Sequence, residues 1–272
     1  MIAAYSTSFG VATRALGPGT REHVRNIYGL VRLADELVDG AAAQAGMNTA
    51  DQRRMLDALE VETCSAIEHG FSTNLVVHAF AHTARRAGIG SDLTGPFFAS
   101  MRRDLGPGVF DADGVRDYIY GSAEVVGLMC LRVFLRRGQT EKASCESLEE
   151  GARRLGAAFQ KVNFLRDLAV DWGSLGRGYF PGIDPEHLTE AQKIGLVEDI
   201  DADLAAAALV ISGLPRDARS AVAAAHGLFK ALNDRIRRTP AEELAYRRVR
   251  VPGWQKSLIL ARALSRGMAA TA

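Results

Sequence analysis

Cysteine is scarce and poorly placed for cross-linking. Cys64, Cys130 and Cys145 form an odd, widely spaced set with no Cys-x-x-Cys pair, which argues against a disulfide framework or a cysteine zinc site and fits a reducing compartment. They read as three small buried hydrophobes. An excess of one charge is also lacking: 33 Lys and Arg stand against 32 Asp and Glu. The basic residues are scattered or paired with acids, so there is no electrostatic case for nucleic acid. Long apolar runs are missing as well. The longest, Leu204 to Ile211, has eight residues, far short of the ~20 that span a bilayer. The opening Met1-Ile-Ala-Ala-Tyr-Ser-Thr-Ser lacks the basic start and apolar stretch of a signal peptide. A cytoplasmic location is the expectation. No Gly-x-Gly-x-x-Gly or Gly-x-Ser-x-Gly segment occurs, and no linker or low-complexity tract divides the chain, so one domain covering residues 1–272 is expected.

What remains is strongly helical. Ala, Leu, Arg and Glu dominate, and β-branched alternation is rare. The pattern predicts helices at about 20–39, 51–69, 73–87, 92–104, 114–136, 141–172, 189–212, 215–238 and 253–267. Turn chemistry separates them at Gly17-Pro-Gly, Gly88-Ile-Gly, Gly106-Pro-Gly and the glycine-rich run from Gly173, while Thr20-Arg-Glu-His and Asp92 look like helix starts. Nothing suggests a repeat or a parallel sheet. The fold class is therefore all-α, a helical bundle.

Two segments carry the chemistry. Tyr28-Gly-Leu-Val-Arg32-Leu-Ala-Asp35-Glu36-Leu-Val-Asp39 and Gln160-Lys-Val-Asn163-Phe-Leu-Arg166-Asp167-Leu-Ala-Val-Asp171 each place two aspartates four residues apart. On a helix such residues share a face, one turn apart. Each pair is a carboxylate clamp, extended by Glu36 or Asn163. These hard oxygen donors suit Mg²⁺, which takes one or two protein carboxylates together with waters and phosphate oxygens. Both clamps read as lying near helix ends, before Gly40 and Gly173, where they can converge at one mouth of a bundle and hold a diphosphate through bridging metals. A single such pair on a helix is commonplace solvated charge; two, each preceded by an arginine, are not.

Together with Met101-Arg-Arg-Asp104-Leu, the stretch Tyr118 to Met129 and Arg177-Gly-Tyr179-Phe-Pro181, these segments resemble the successive signatures of the phytoene/squalene synthase family. The resemblance keeps its order from about Ser6 to Lys256. It implies an isoprenoid-synthase helical bundle with a central apolar cavity and a prenyltransferase that joins two prenyl diphosphates head to head. It also implies metal-binding roles for Asp35, Glu36, Asp39, Asn163, Asp167 and Asp171. Diphosphate contacts are implied for Arg32, Arg166 and Arg248, cavity tyrosines at Tyr28 and Tyr118, and substrate contacts for Ser6, Ser8 and Gln160. Mg²⁺, with Mn²⁺ as a substitute, is the implied cofactor. NADPH is needed only if the product is squalene.

The reaction makes its own demands. Breaking an allylic carbon–oxygen bond leaves a diphosphate that metals and guanidinium forks must stabilise, and an allylic cation that water would quench, so the cavity must be apolar and closed. Val125, Val126, Gly127, Leu128, Gly156 and Phe159 are its expected walls, the small residues leaving room for a lipid tail. Arg177 and Tyr179 are either a flap over the diphosphate or a loop anchored by packing. Asp104 fits the family pattern, although a helix-terminal ion pair explains it nearly as well.

Departures from the pattern bear on the product. Glu124 stands where many relatives have glycine and reads either as a cavity-facing metal ligand or base, or as an arginine-paired acid. Tyr5 replaces a common histidine, and Phe229 removes a hydroxyl from the cavity. The leading expectation is geranylgeranyl diphosphate to phytoene through prephytoene diphosphate. The alternatives are farnesyl diphosphate to presqualene diphosphate, squalene or dehydrosqualene, a terpene-cyclising relative, and a catalytically silent assembly factor. His78 and His82 have zinc-like spacing but lack the Glu and third ligand of a metalloprotease, so packing is expected. The stretch Ser257 to Arg266 reads as a short amphipathic helix that packs on the bundle, with peripheral membrane contact for product release as the other reading.

Overall fold

The computed structural model describes residues 10, 12–106, 108–136, 142–175, 177–244, 246 and 248–269, of which 109, 142–144, 169–175, 185 and 266–269 are described by backbone alone. The chain runs through α1 (Pro18–Val38), α2 (Ala41–Gln44), α3 (Thr49–His69), α4 (Leu75–Ala87), α5 (Ser91–Arg103), α6 (Ala112–Ile119), a π turn (Tyr120–Glu124), α7 (Val125–Leu135), α8 (Lys142–Leu175), α9 (Glu190–Val210), α10 (Arg216–Arg238), α11 (Ala241–Leu244) and α12 (Gly253–Ala269). The predicted helices all appear, with ends shifted by a few residues.

Local chemistry sets the ends. Asn48 caps α3 by accepting from the Asp51 N–H at 2.9 Å, Asn74 caps α4 from Val76, and Thr189 with Gln192 forms a capping box on α9. Gly70 and Gly88 end α3 and α4 in the left-handed region, at φ 84° and 67°, a conformation open to glycine at little cost. Two expected starts lie slightly inside their helices. Pro18 takes the first position of α1, leaving Thr20 to donate to Asp217 Oδ2 at 2.5 Å, and α5 begins at Ser91.

The apolar faces sort into two large clusters. One gathers Ile27, Leu30 and Ala34 of α1 with Phe80 of α4, Phe97 and Phe98 of α5, and Val125 and Met129 of α7. The other gathers Val162 and Leu165 of α8 with Val197 and Ile200 of α9, Leu232 and Ile236 of α10, and Tyr179 and Phe180. The candidate site lies between α1, α5, α6 and the π turn on one side and α8 on the other.

Three features depart from the sequence reading. A parallel pairing does exist: β1 (Gly108–Val109) pairs with β2 (Arg177–Gly178), too short for period-two patterning to show. The helix expected at 114–136 is broken by the π turn. By length and composition the stretch Ala112–Leu135 could span a bilayer, which counting uninterrupted apolar runs did not reveal. Here it lies within the bundle, with Val125, Met129, Leu131 and Val133 buried.

Candidate active site

Residues from both acidic segments line one cavity of about 370 Å³. From α1 come Val31, Arg32 and Asp35, followed by Asp39 and Gly40 just past its end. From α5 come Met101 and the capping residue Asp104, and from α6 and the π turn Tyr118 and Ser122. The long helix α8 presents Gln160, Asn163, Phe164, Arg166 and Asp167, and the chain beyond it Arg177 and Tyr179. Helical spacing of three and four residues puts Arg32, Asp35 and Asp39, and again Gln160, Asn163 and Asp167, on common faces. The second clamp is not at a helix end: α8 continues through Gly173 to Leu175, so Asp167 projects from two turns inside it.

The charges are unevenly matched. Arg177, buried by its neighbours, grips Asp39 with both Nη atoms at 2.9 and 2.6 Å, donates to the Asp104 backbone carbonyl and lies 3.6 Å from its carboxylate. Asp167 accepts from Arg166 at 3.0 and 2.5 Å and from Arg248 at 2.7 Å. Among the described residues, the ion pair of Asp35 is with the edge of Arg32, at 4.0 Å. Burial, with repulsion from Asp39 and Glu36 and partial relief from Arg32, pushes the Asp35 carboxyl up to about 7. Its side chain is 43% accessible, facing the cavity that it lines. Asp104 is pushed up to about 8 by burial and by Asp39, against relief from Arg177 and from Tyr118. The Tyr118 hydroxyl donates to Asp104 at 2.8 Å and is held well above its usual range by its own burial and by that carboxylate.

Toward the interior, a second, apolar cavity shares Val31 and Ser122 with the first. Val126, Cys130 and Phe134 of α7 line it in successive turns, opposite Phe159, Gly156, Ala152 and Leu148 of α8, and Leu214 and Val210 complete its far end. Gly127 and Gly156 line it as expected, but for another reason. A Cβ on Gly127 would lie 2.6 Å from the Ala152 carbonyl, and one on Gly156 2.6 Å from that of Ala123. These glycines let α8 touch α7 and the π turn before it backbone to backbone.

Several expected residues sit elsewhere. Glu36 lines neither cavity: its carboxylate is taken by Arg32 and by the Ala41 N–H at 2.9 Å, so it anchors an arginine and faces away from the ligand space. Glu124 lines neither cavity and pairs with Arg153 at 2.8 Å, while Arg153 lies over the Tyr120 ring; the arginine-paired reading is the one realised. Tyr28 is half-buried on α1 outside both cavities. Val125 is core, and Leu128 packs against that core. Phe229 stacks on Phe159 with centroids 3.7 Å apart, behind the apolar wall. Tyr179 is stacked on Phe164 at 4.0 Å and on Phe110 at 5.6 Å, so Arg177 and Tyr179 form a packed anchor. Arg248 is exposed and reaches the site through Asp167. Cys64 is exposed and not a buried hydrophobe; Cys130 lines the apolar cavity. His78 packs edge-on to Phe71 and His82 stacks with His23. Ser6 and Ser8 lie outside the described residues, as does the Asp171 side chain.

Sequence reasoning undervalued Asp104 and passed over Ser122, which links the two cavities. For Asp104 the signal was present, as the acid closing Met101-Arg-Arg-Asp104-Leu. As for a metal, no three acidic, His or Cys residues among the described ones form a ready-made cage. Two observations favour a cation here. Asn163 Oδ1 is buried without a hydrogen-bond partner among the described residues, and the Asp35 carboxylate lacks sufficient positive charge nearby.

The architecture is the all-α isoprenoid-synthase fold. It overlays a dehydrosqualene synthase solved with ligand at TM-score 0.78, with 21% identity over 98% of this chain and 94% of that one. It overlays the squalene synthase HpnC of Alicyclobacillus acidocaldarius at 0.70, with 20% identity over 86% and 89%. The squalene/phytoene synthase family model matches residues 2–255. The chain therefore belongs to this family, whose members are prenyltransferases. Its relatives include a 15-cis-phytoene synthase of Paracoccus sp., 27% identical over 89% of this chain and 81% of that protein. The chloroplastic phytoene synthase 2 of Zea mays is 32% identical over 72% of this chain but only 46% of its own length. A 4,4'-diapophytoene synthase of Staphylococcus haemolyticus is 28% identical over 65% and 58%.

Proposed function

We propose that this chain, acting as one synthase domain, condenses two geranylgeranyl diphosphates head to head into phytoene by way of prephytoene diphosphate. The observation that carries the reading is the pair of joined cavities: four aspartates and three arginines line one, and an almost wholly apolar space continues from it past Val31 and Ser122. The charged cavity suits the diphosphates and the apolar one a prenyl tail.

Asp35, Asp39, Asn163 and Asp167 would hold Mg²⁺ or Mn²⁺, with Asp171 the fifth member expected from the sequence; Glu36 would join the set only by giving up Arg32 and the Ala41 amide. When bound, the cation neutralises the departing diphosphate. The chain's own residues do the rest. Arg32, Arg166 and Arg177 now pair with carboxylates; as ligand enters, each guanidinium exchanges a carboxylate for phosphate oxygens, which its planar fork meets equally well. The apolar walls exclude water from the allylic cation. In the first half-reaction the donor's carbon–oxygen bond breaks, the acceptor double bond attacks the new cation, and loss of a proton closes a cyclopropane. In the second, the remaining diphosphate leaves, the ring rearranges and a second proton is lost. Each half-reaction releases one diphosphate and one proton, and no hydride donor is required.

Tail length favours the twenty-carbon substrate. From Ser122 in the π turn to Phe134 of α7 the lining residues cover twelve positions, at most ~18 Å at 1.5 Å per residue. An extended chain advances ~1.2 Å per bond, so the sixteen-bond geranylgeranyl chain reaches ~19 Å and a twelve-bond farnesyl chain ~14 Å. The test is incubation of purified protein with Mg²⁺ and each diphosphate, with and without NADPH, and mass analysis of extracted lipids. A forty-carbon hydrocarbon formed without NADPH is expected; a thirty-carbon or cyclised product, or none, overturns the assignment. Cys130→Phe, which plugs the apolar cavity two turns below Ser122, is expected to lower geranylgeranyl turnover ~10-fold or more relative to farnesyl, a methylene-scale steric penalty repeated over several carbons.

A further inference from the structure

Tyr118 is held at both ends by one face of α5. Its hydroxyl donates to the Asp104 carboxylate, 2.8 Å from Oδ1 and 3.0 Å from Oδ2. At the other end, its main-chain carbonyl accepts from the Ser100 hydroxyl at 3.2 Å. Ser100 and Asp104 stand four positions apart, one above the other along α5 and its cap, and only 3% and 4% of their surfaces are exposed. The chain approaches α5 closely here: a Cβ on Gly121, three residues on, would collide with the Pro96 carbonyl and with Ser100 Oγ.

Between its two ends the Tyr118 ring is fenced by Phe110, Phe164 and Tyr179, with centroids 5.2, 6.0 and 5.3 Å away. Those neighbours limit how the ring can tilt. Apolar contact is non-directional, however, so it does not fix how far the ring reaches. Reach is set where the main chain is pinned, and a hydrogen bond, which weakens steeply with misalignment, is a pin. We propose that Ser100 is a positioning residue for the synthase reaction: by holding the Tyr118 carbonyl against α5, it sets how far the Tyr118 hydroxyl reaches into the charged cavity. Tyr118 and Asp104 line that cavity, whereas Ser100 lines neither cavity, so its effect on turnover passes through what it holds. A phenol in a diphosphate space is a donor for a phosphate oxygen, and such a contact loses its value quickly when displaced. The inference rests on the proposed synthase chemistry for what Tyr118 does there. Its placement is read without turnover, so the two fail separately.

The experiment combines NMR of isotope-labelled tyrosine rings with kinetics. The chain has six tyrosines, and the signal lost in Tyr118→Phe identifies the one concerned. Ser100→Ala is expected to move that signal. With turnover read as diphosphate released from geranylgeranyl or farnesyl diphosphate, Ser100→Ala is expected to lower kcat ~10-fold with KM changed less than ~2-fold. Ser100→Cys, which keeps a weaker donor, should fall between it and the wild type. Alanine favours a helix more than serine does, so circular dichroism should show an intact fold. Tyr118→Phe is expected to lower kcat ~10²-fold, and adding Ser100→Ala to it should change kcat less than ~2-fold further, because residues acting through one another do not add. An unmoved Tyr118 signal in Ser100→Ala overturns the proposal. So does a normal kcat in that variant, and so do effects that multiply in the double variant. A product other than phytoene overturns the proposed function and leaves these readings standing.

Discussion

On α1, Asp35 confronts Asp39 and Glu36 with one guanidinium at 4.0 Å, and its carboxyl is pushed up to about 7. On α8, Asp167 lies between Arg166 and Arg248, within 3.0 Å of both. The same residue type at the same helical spacing thus lives in opposite fields. Among the described residues Asp35 carries negative charge with little to balance it, while Asp167 is already paired. A site that must receive both cations and an anionic substrate needs both: one unbalanced face to attract metal, and one set of guanidiniums that can be handed to phosphate.

The largest expected effect erases the contrast. Asp35→Asn and Asp167→Asn should each lower turnover ~10²-fold or more, the usual cost of one preorganised electrostatic group, with helical content retained by circular dichroism. Near-normal rates in both variants would contradict the metal assignment. Without divalent cation the same variants should part company. Asp35→Asn relieves repulsion and should raise the melting temperature at about pH 8, where the wild-type group is charged. Asp167→Asn strands two guanidiniums and should lower it by ~2–4 °C, corresponding to ~1 kcal/mol. Shifts of the same sign would remove the distinction.

A pH series sharpens it further. Asp35 and Asp104 have folded pKa values raised to about 7 and about 8 above the ordinary carboxylate value, so between these limits the folded state binds more protons than the unfolded one. Stability of the metal-free protein should therefore fall as pH rises from about 5 to about 8. Mg²⁺, which competes with those protons, should flatten the slope and bind more tightly as pH rises. Thermal denaturation with and without Mg²⁺ measures both, and a flat metal-free profile would refute the electrostatic account. The smallest effect is a control outside either acidic turn. Glu124→Gln should change turnover less than ~2-fold with the same product, since an ion pair with a half-exposed arginine contributes ~0–1 kcal/mol.

Helix periodicity made most of the fold legible, because three- and four-residue spacing is local and Gly70, Gly88 and Asn74 mark ends by backbone chemistry alone. The Asp35/Asp39 and Asn163/Asp167 pairs were legible for the same reason. Pairings across the chain were not. Nothing near Glu36 in sequence says that Arg32 and the Ala41 amide will occupy it, and nothing near Glu124 announces Arg153. The burial that makes Asp104 part of the site arises from Arg177 and Tyr118, which approach from other elements. Gly127 and Gly156 line the apolar cavity, yet their tight backbone contacts depend on how two successive helices cross, which spacing within either helix does not report.

The wide turn at Tyr120–Glu124 fixes a phase. Upstream, Tyr118 points to the charged cavity; downstream, Val126, Cys130 and Phe134 point to the apolar one, and the extra residue accommodated between them offsets the two faces by ~100°. Removing a single residue there would give a more regular helix and a broken passage, because every side chain beyond it would rotate off the tunnel. The segment is thus intolerant of length change even where it tolerates substitution.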